Sequence, residues 1–284
     1  MQPDRPDSTT PAPQPAAPST CADTTIAVAK GQDVAVRMYG RKRAGATSPV
    51  VVHFHGGAFV SGDLDNGCTV AKLLEEASAV VVSVAYPLTP FPQPVETGYD
   101  VLKWVHRNRV KLGGQGALVY LAGEEAGGNL AAAVALMARD QAHPPLAGQI
   151  LLSPMLDPCV GTASLREATG GATGCKWTEG WRNFLRCPRD AEHPYAVPAG
   201  AHRLAGLPPT LILVGDTDPM RDEALAYAAR LEAAGLPVTR HVFSKNPQWP
   251  DALLQAGQHE CPCAAGAIEQ FRRFFEATRC PVPS

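Results

Sequence analysis

Residues 117 to 136 read Ala-Leu-Val-Tyr-Leu-Ala-Gly-Glu-Glu-Ala-Gly-Gly-Asn-Leu-Ala-Ala-Ala-Val-Ala-Leu, and this stretch decides the fold of the chain. The first six residues are an apolar run of strand length, and the alanine-rich part from Asn129 onward has high helix propensity. Glycines lie between the two parts. They predict a very tight turn from strand to helix, because glycine tolerates close approach of the backbone.

The turn has the spacing of a nucleophile elbow, in which G-x-S-x-G lifts its middle residue above the sheet at a helix N-terminus. Here the pattern reads Gly123-Glu124-Glu125-Ala126-Gly127, so Glu125 stands where the elbow's serine is expected. Small residues on either side let the strand and the helix approach each other. The sequence therefore predicts the geometry of the elbow without its usual nucleophile.

The composition favours a single α/β domain that acts on a small molecule. The chain has 284 residues, 45% of them apolar, which is enough for one large domain with a small cap. Its net charge of -2, with mixed signs, offers neither a basic field for nucleic acid nor a polybasic patch for a membrane. We expect a small-molecule substrate or ligand, no nucleic-acid or membrane partner, and no cofactor. A homodimer is an open option.

The N-terminal residues 1–28 are rich in Pro, Ala, Ser and Thr and lack the apolar segment of a signal peptide. Such a composition predicts a disordered tail ahead of one domain at 29–280. No apolar run reaches membrane-spanning length. These features predict a cytoplasmic protein.

The eight cysteines are scattered, and no pair has C-x-x-C spacing, so we expect buried or surface thiols. His259, Cys261 and Cys263 form a local cluster of potential metal ligands. Their spacing fits no common zinc pattern, and no second ligand pair accompanies them. We predict no metal site.

Apolar runs and helical periodicities alternate along the rest of the chain. This order predicts a mostly parallel sheet with helices on both faces. Residues 158–205 interrupt it with glycines, prolines and two tryptophans, as a cap over the strand ends or a plain surface excursion would. The predicted strands are 33–39, 49–54, 79–84, 117–122, 148–153, 210–214 and 237–243, and the predicted helices are 68–77, 95–109, 128–140, 221–234 and 264–277.

The second predicted strand runs into the loop His55-Gly56-Gly57-Ala58-Phe59. Glycines after a strand let backbone N–H groups point at a developing oxyanion without obstruction by side chains. A Gly-Gly turn alone is usually structural. Combined with an elbow, this loop predicts an oxyanion hole.

These motifs together resemble one known family. The matching stretches are His55-Gly-Gly-Ala-Phe-Val-Ser-Gly-Asp-Leu, Ala126-Gly-Gly-Asn-Leu-Ala-Ala-Ala-Val-Ala, Pro145-Leu-Ala-Gly-Gln-Ile-Leu-Leu-Ser-Pro, and Leu207-Pro-Pro-Thr through Ala224-Leu-Ala-Tyr-Ala. From about residue 33 to 278 the chain resembles the hormone-sensitive-lipase-like bacterial carboxylesterases, the α/β-hydrolase fold-3 family. The resemblance implies an α/β-hydrolase fold with about eight strands, a small cap, and an active site on the loops that follow the strands.

The resemblance also implies roles for individual residues. The N–H groups of Gly57, Ala58 and Ala126 would form the oxyanion hole, and Asp218 would be the acid of a catalytic triad. His55 would fix its loop through hydrogen bonds. The glycines that would support the two loops are Gly56, Gly123 and Gly127.

The chain departs from the family where the nucleophile and its base are expected. Glu125 replaces the serine, and Gln248 stands where the histidine is expected. A glutamine cannot accept and return a proton at neutral pH, so we do not expect ester hydrolysis through a seryl intermediate. Its two amide N–H donors would suit a hydrogen-bonded chain from Glu125 through Gln248 to Asp218. His259 is an alternative base if its loop folds back.

The sequence is compatible with three functions. In the first, Glu125 is a general acid or base for elimination, isomerisation or cyclisation of a carbonyl or ester substrate. In the second, the chain binds a small molecule without catalysis, and the Glu125 carboxylate turns into the oxyanion hole. In the third, some hydrolase activity survives, with Glu125 as a covalent nucleophile or His259 as a displaced base.

Overall fold

A computed structural model describes residues 21–28, 31, 33–42, 45–169, 175–244, 249 and 263–279. The described part of the chain contains one eight-stranded sheet in the order β1-β2-β4-β3-β5-β6-β7-β8. The first two pairings, β1 with β2 and β2 with β4, are antiparallel, and the other five are parallel. The strands are β1 Cys21–Ala27, β2 Asp33–Tyr39, β3 Val50–Phe54, β4 Val80–Val84, β5 Val119–Glu124, β6 Gly148–Leu152, β7 Thr210–Gly215 and β8 Val238–Phe243.

Helices cover both faces of this sheet. The helices α2, α3 and α7 share a core with one face, and α1 and α8 share a core with the other. Strands β3 to β7 are buried throughout, as their apolar sequences require of parallel strands covered on both sides. The helices are α1 Cys68–Glu76, α2 Gln93–Gly113, α3 Ala126–Asp140, α4 Ala163–Thr169, α5 Lys176–Phe184, α6 Pro188–Ala191, α7 Arg221–Ala233 and α8 Ala264–Ala277, with a 3₁₀ helix at Pro198–Gly200.

The architecture confirms the predicted fold class, with small shifts at element ends. Strand β5 begins and ends two residues later than predicted, because the apolar pattern does not show which residues pair with the neighbouring strands. Helix α2 is longer than predicted, since its polar ends carry no periodic signal.

The prediction of a disordered tail through residue 28 is wrong for its last part. Cys21–Ala27 forms strand β1, which pairs with β2 along its whole length. All but one of its residues are exposed, so it shows no alternation of apolar and polar residues. The strand is held by its antiparallel pairing with β2, and Asp23 is also bound by Arg37 from that neighbour at 2.9 Å.

The insertion at 158–205 supplies the helices α4, α5 and α6. Helix α5 packs on the loop after β3, where Phe184 stacks on Phe59 with ring centroids 4.1 Å apart. Gly180 of α5 lies so close to Ala58 that a Cβ atom there would be 1.8 Å from the Ala58 carbonyl oxygen. The predicted cap therefore contacts the predicted oxyanion loop directly.

Two further expectations concern cysteines and membranes. Cysteines 21, 68, 159, 175 and 187 are free thiols, as expected, whereas Cys263 is disulfide-bonded, so the expectation of a thiol there is wrong. A pairing of this kind depends on three-dimensional proximity, which scattered cysteines do not reveal. No helix within the described ranges is long and apolar enough to span a bilayer.

Candidate active site

The elbow is built as the glycine spacing predicts. Glu125 lies between β5 and α3 with φ 53° and ψ -115°, a conformation that a residue with a side chain rarely adopts. A Cβ atom on Gly123 would lie 2.1 Å from the Gly127 carbonyl oxygen, and one on Gly127 would lie 2.0 Å from that of Phe54. Only glycine fits at both positions, so strand and helix approach closely enough to hold the strained turn.

The carboxylate of Glu125 occupies the predicted oxyanion hole. Gly57 N donates to its Oε2 atom at 2.8 Å and Ala58 N donates to the same atom at 3.2 Å. The residue is only 2% exposed. The third predicted donor, Ala126, is the buried first residue of α3. The structure thus brings Glu125 together with two of the three predicted donors.

The other carboxylate oxygen of Glu125 is held by helix α5 of the predicted cap. Trp177 Nε1 of helix α5 donates to Glu125 Oε1 at 2.7 Å, and Lys176 Nζ pairs with the same oxygen at 3.1 Å. The Lys176 ammonium also lies 4.9 Å from the centre of the Trp177 ring, within the range of a cation–π contact. Sequence reasoning missed Lys176 altogether and gave Trp177 no specific role, because neither residue belongs to a motif.

A second buried carboxylate, that of Glu124, is hydrogen-bonded to the backbone of the oxyanion loop. Its Oε1 atom accepts from Gly56 N at 3.0 Å, and its Oε2 atom lies 2.7 Å from His53 Nε2. The other ring nitrogen of His53 lies 3.0 Å from Ser83 Oγ. Glu124 therefore ties the loop to the elbow and to strand β4, a role that the motif alone did not indicate.

His55 lies at the start of the same loop, directly after strand β3. Its Nδ1 atom donates to the Gly56 carbonyl oxygen at 2.7 Å, and its ring stacks on Tyr86 with centroids 4.2 Å apart. The Tyr86 hydroxyl donates to the His55 carbonyl oxygen at 2.8 Å. Burial lowers the pKa of His55, which favours the neutral ring. These contacts give His55 a role in positioning the loop.

Asp218 lies fully buried after β7. Its Oδ1 atom accepts from Met220 N at 2.8 Å, and its Oδ2 atom accepts from Ser153 Oγ and, at 3.1 Å, from Trp249 Nε1. Burial raises the pKa of Asp218, although each of these hydrogen bonds acts in the opposite direction. Among the contacts of the described residues, none joins Asp218 to Glu125.

Gln248 and His259 lie outside the described residues, so the proposed bridge through Gln248 and the alternative base stay predictions. Within the described ranges, no group of three or more His, Cys, Asp or Glu side chains is arranged to hold a metal ion. The narrow gap lined by Met155, Trp177, Trp181, Met220 and Glu223 has no room for a water molecule.

The sequence matches the alpha/beta hydrolase fold family over residues 51–248, which is more than half of the chain. The chain belongs to the alpha/beta hydrolase fold-3 family. This assignment confirms the predicted resemblance, and the chain is a carboxylesterase-like alpha/beta hydrolase in sequence and fold.

Two curated relatives of this alpha/beta hydrolase carry different names. Esterase LipI of Mycobacterium tuberculosis is 36% identical over 203 residues, which cover 69% of this chain and 63% of LipI. The gibberellin receptor GID1C of Arabidopsis thaliana is 34% identical over 208 residues, which cover 67% of this chain and 59% of the receptor. The matched region thus spans less than two thirds of either relative.

Solved structures agree with the assignment of this alpha/beta hydrolase. The thermostable esterase of Pseudomonas putida ECU1011 superposes with a TM-score of 0.78 at 29% identity, over 90% of this chain and 82% of that one. The fold is therefore that of known esterases over nearly the whole described chain.

Proposed function

We propose that this alpha/beta hydrolase is a small-molecule-binding protein that does not hydrolyse esters through a serine. The observation that carries the proposal is the position of the Glu125 carboxylate, whose Oε2 atom accepts from Gly57 N at 2.8 Å and from Ala58 N at 3.2 Å. In an esterase these N–H groups would stabilise the oxyanion of the substrate. Here the protein's own carboxylate uses them.

This occupancy also weakens the case for acid–base catalysis. That chemistry requires the substrate carbonyl in the oxyanion hole while Glu125 moves a proton nearby. The N–H groups of Gly57 and Ala58 cannot serve the Glu125 carboxylate and a substrate oxygen at the same time. Catalysis would require Glu125 first to leave four partners, two of which, Lys176 and Trp177, belong to the cap.

The acid of the site supports the proposal independently. The described side-chain partners of Asp218 are Ser153 and Trp249, a hydroxyl and an indole, neither of which can act as a base near neutral pH. A retained acid whose described side-chain partners include no base is expected where the scaffold persists but the hydrolytic reaction does not. The similarity to the gibberellin receptor GID1C also supports a binding role.

The proposal is tested by measuring hydrolysis and binding together. Wild-type protein is incubated with p-nitrophenyl acetate and butyrate, and release of p-nitrophenolate is compared with a protein-free blank. We expect no turnover above the blank. Ethyl butyrate is then titrated while the indole N–H signal of Trp177 is followed by NMR, because that group touches Glu125 at 2.7 Å. A saturable shift without hydrolysis supports the proposal, and multiple turnovers by the wild type contradict it.

Acid–base catalysis by Glu125 is the second candidate, and the Lys176 contact favours it. The Lys176 side chain is 49% exposed and pairs with a Glu125 side chain that is only 3% exposed, so it connects the buried carboxylate to solvent. Such a connection would permit proton exchange. If the protein converts a carbonyl substrate without hydrolysis, Glu125→Gln should abolish the conversion, whereas under the binding proposal no such conversion exists to lose.

A further inference from the structure

The indole of Trp249 lies against the acid of the site. Its Nε1 atom is 3.1 Å from Asp218 Oδ2 and 2.9 Å from Ser153 Oγ, and the residue is 3% exposed. The ring packs on Phe243 with centroids 4.6 Å apart. It also fills the space above Gly215, where a Cβ atom would be 2.7 Å from Trp249 Cδ1. Trp249 is thus wedged between the ends of two strands and the carboxylate.

The Trp249 indole donates a hydrogen bond to the acid, which is one of the two roles of a catalytic base. A catalytic imidazole donates one N–H to the acid and accepts a proton at its other nitrogen. The indole of Trp249 has a single N–H, which is a donor only, so it satisfies the buried Asp218 but takes up no proton. Among the described residues, Asp218 therefore has a donor that stabilises it and no partner that takes up a proton.

We propose that Trp249 fills the place beside Asp218 that a general base must occupy, and that this place is a latent binding site for a neutral azole such as imidazole. The catalytic site is then silenced at two separate points. The Glu125 carboxylate occupies the oxyanion hole, and the Trp249 indole occupies the place beside the Asp218 carboxylate where a base would bind. The inference rests on the proposed function only in treating the wild type as non-hydrolytic.

The consequence is that restoring serine and histidine alone is insufficient. In Glu125→Ser with Gln248→His, the Asp218 carboxylate would still be bound by Trp249 Nε1 and Ser153 Oγ. Adding Trp249→Gly removes the competing donor and opens the space. An imidazole that reaches the freed place beside Asp218 would take the proton of the introduced serine hydroxyl as the serine oxygen attacks the ester carbon. It would return that proton to the alcohol that leaves when the tetrahedral intermediate breaks down.

The first experiment compares that double variant with the triple variant on p-nitrophenyl butyrate. Since a positioned general base contributes roughly 10²–10⁴-fold, we expect the triple variant to exceed the double variant by about 100-fold in kcat/KM. Equal activity of the two variants overturns the proposal. Glu125→Ser with Gln248→His and Trp249→Phe is the matched control, because phenylalanine keeps an aromatic ring on Phe243 but has no N–H for Asp218.

The second experiment measures the latent site without catalysis. Trp249→Gly, with Glu125 unchanged, is titrated with imidazole while ¹⁵N spectra of the azole and of the Met220 amide, which donates to Asp218 at 2.8 Å, are recorded. We expect saturable shifts in Trp249→Gly and none in the wild type. If a folded Trp249→Gly protein gives no shift, the proposal fails. If that variant does not fold, the same titration on Trp249→Ala decides by the same criterion.

Chemical rescue links the two readouts. Hydrolysis of p-nitrophenyl butyrate by Glu125→Ser with Trp249→Gly is measured at increasing imidazole concentration. Two blanks are subtracted: hydrolysis by imidazole without protein, and hydrolysis by Glu125→Ala with Trp249→Gly at the same imidazole concentration. Saturable activation supports the proposal, and activation equal to these blanks contradicts it. Ester turnover by the wild type would instead contradict the proposed function, so the two failures are distinguishable.

Discussion

At the scale of single residues, the site depends on the hydrogen bonds and the ion pair of the buried Glu125 carboxylate. Its carboxylate has two backbone donors, one indole donor and one ammonium partner, while the residue is 2% exposed. Hydrogen bonds to charged groups contribute about 1.5–3 kcal/mol each, and a buried donor left without a partner costs about 1–3 kcal/mol. The contacts of Glu125 therefore contribute to the stability of the fold.

Replacing Glu125 with glutamine should lower the free energy of unfolding by about 1–3 kcal/mol, because one amide NH₂ would face a donor that the carboxylate now accepts from. Urea denaturation followed by far-UV circular dichroism measures the change. Lys176→Met is the matched control, since it removes the half-exposed ion pair and should cost less than about 1 kcal/mol. Equal losses in the two variants would show that the buried hydrogen bonds are not the main contribution.

The contact between Trp177 and Glu125 can be separated from ring packing. Trp177→Phe removes the N–H that donates to Glu125 Oε1 at 2.7 Å and keeps an aromatic ring in the cap. On the wild-type background we expect the free energy of unfolding to fall by about 1.5–3 kcal/mol, because the acceptor is a carboxylate paired with Lys176. On the Glu125→Ala background, Trp177→Phe should lower the free energy of unfolding by much less. A double-mutant cycle from thermal or urea unfolding checks this, and additive losses would contradict a direct contact.

At the scale of elements, a glycine allows helix α5 to pack closely on the oxyanion loop. A Cβ atom on Gly180 would lie 1.8 Å from the Ala58 carbonyl oxygen, which belongs to the oxyanion loop. We expect Gly180→Ala to destabilise the protein by about 1–3 kcal/mol or more through overpacking. Gly161→Ala is the control, since its nearest neighbour, the Cys159 carbonyl oxygen, would be 3.6 Å from the new Cβ atom. Differential scanning calorimetry should show a lower Tm for the first variant only.

Helix α7 contributes a titratable group to the interface with the strand ends. Glu223 accepts from Leu156 N at 3.2 Å and from Asp157 N at 2.6 Å, and burial raises its pKa well above its ordinary value. Folded protein then holds a proton that the unfolded chain releases. Stability from this group is present at acidic pH and is lost as the pH rises from about 4.5 through the raised pKa.

The matching experiment compares wild type with Glu223→Gln, which keeps the shape of the side chain and an oxygen acceptor but does not titrate. The free energy of unfolding of the wild type should fall relative to that of the variant as the pH rises above about 4.5. Urea unfolding at several pH values gives the difference. A difference that stays constant or grows in favour of the wild type with rising pH would contradict the raised pKa.

At the scale of the whole molecule, the fold was predictable where the signal is local. The glycines at 123 and 127 require close backbone contacts that no other residue permits, so their spacing predicts the elbow directly. The apolar strands β3 to β7 are buried throughout, and their composition reports that burial. Strand β1 escaped prediction because it is mostly exposed and is held by its antiparallel pairing with β2.

The candidate site was predictable only in part, and the reason is physical. The motif positions Glu125, Gly57 and Ala58, whose contacts the structure then reports. Lys176 and Trp249 reach the site from segments far away in sequence, and nothing in their local pattern indicates which carboxylate each will meet. The direction in which the Glu125 side chain turns was left open by the motif.

The elbow has a use beyond this protein's own chemistry. Its backbone shape is fixed by Gly123 and Gly127, whose crossing leaves no space for a Cβ atom, and not by the side chain at position 125. Because the surroundings hold the strained conformation of that residue, any side chain placed there is presented at the same point and angle. In laboratory design, a serine, cysteine or aspartate at position 125 would start from this same backbone, and each would give up hydrogen bonds that the Glu125 carboxylate now accepts.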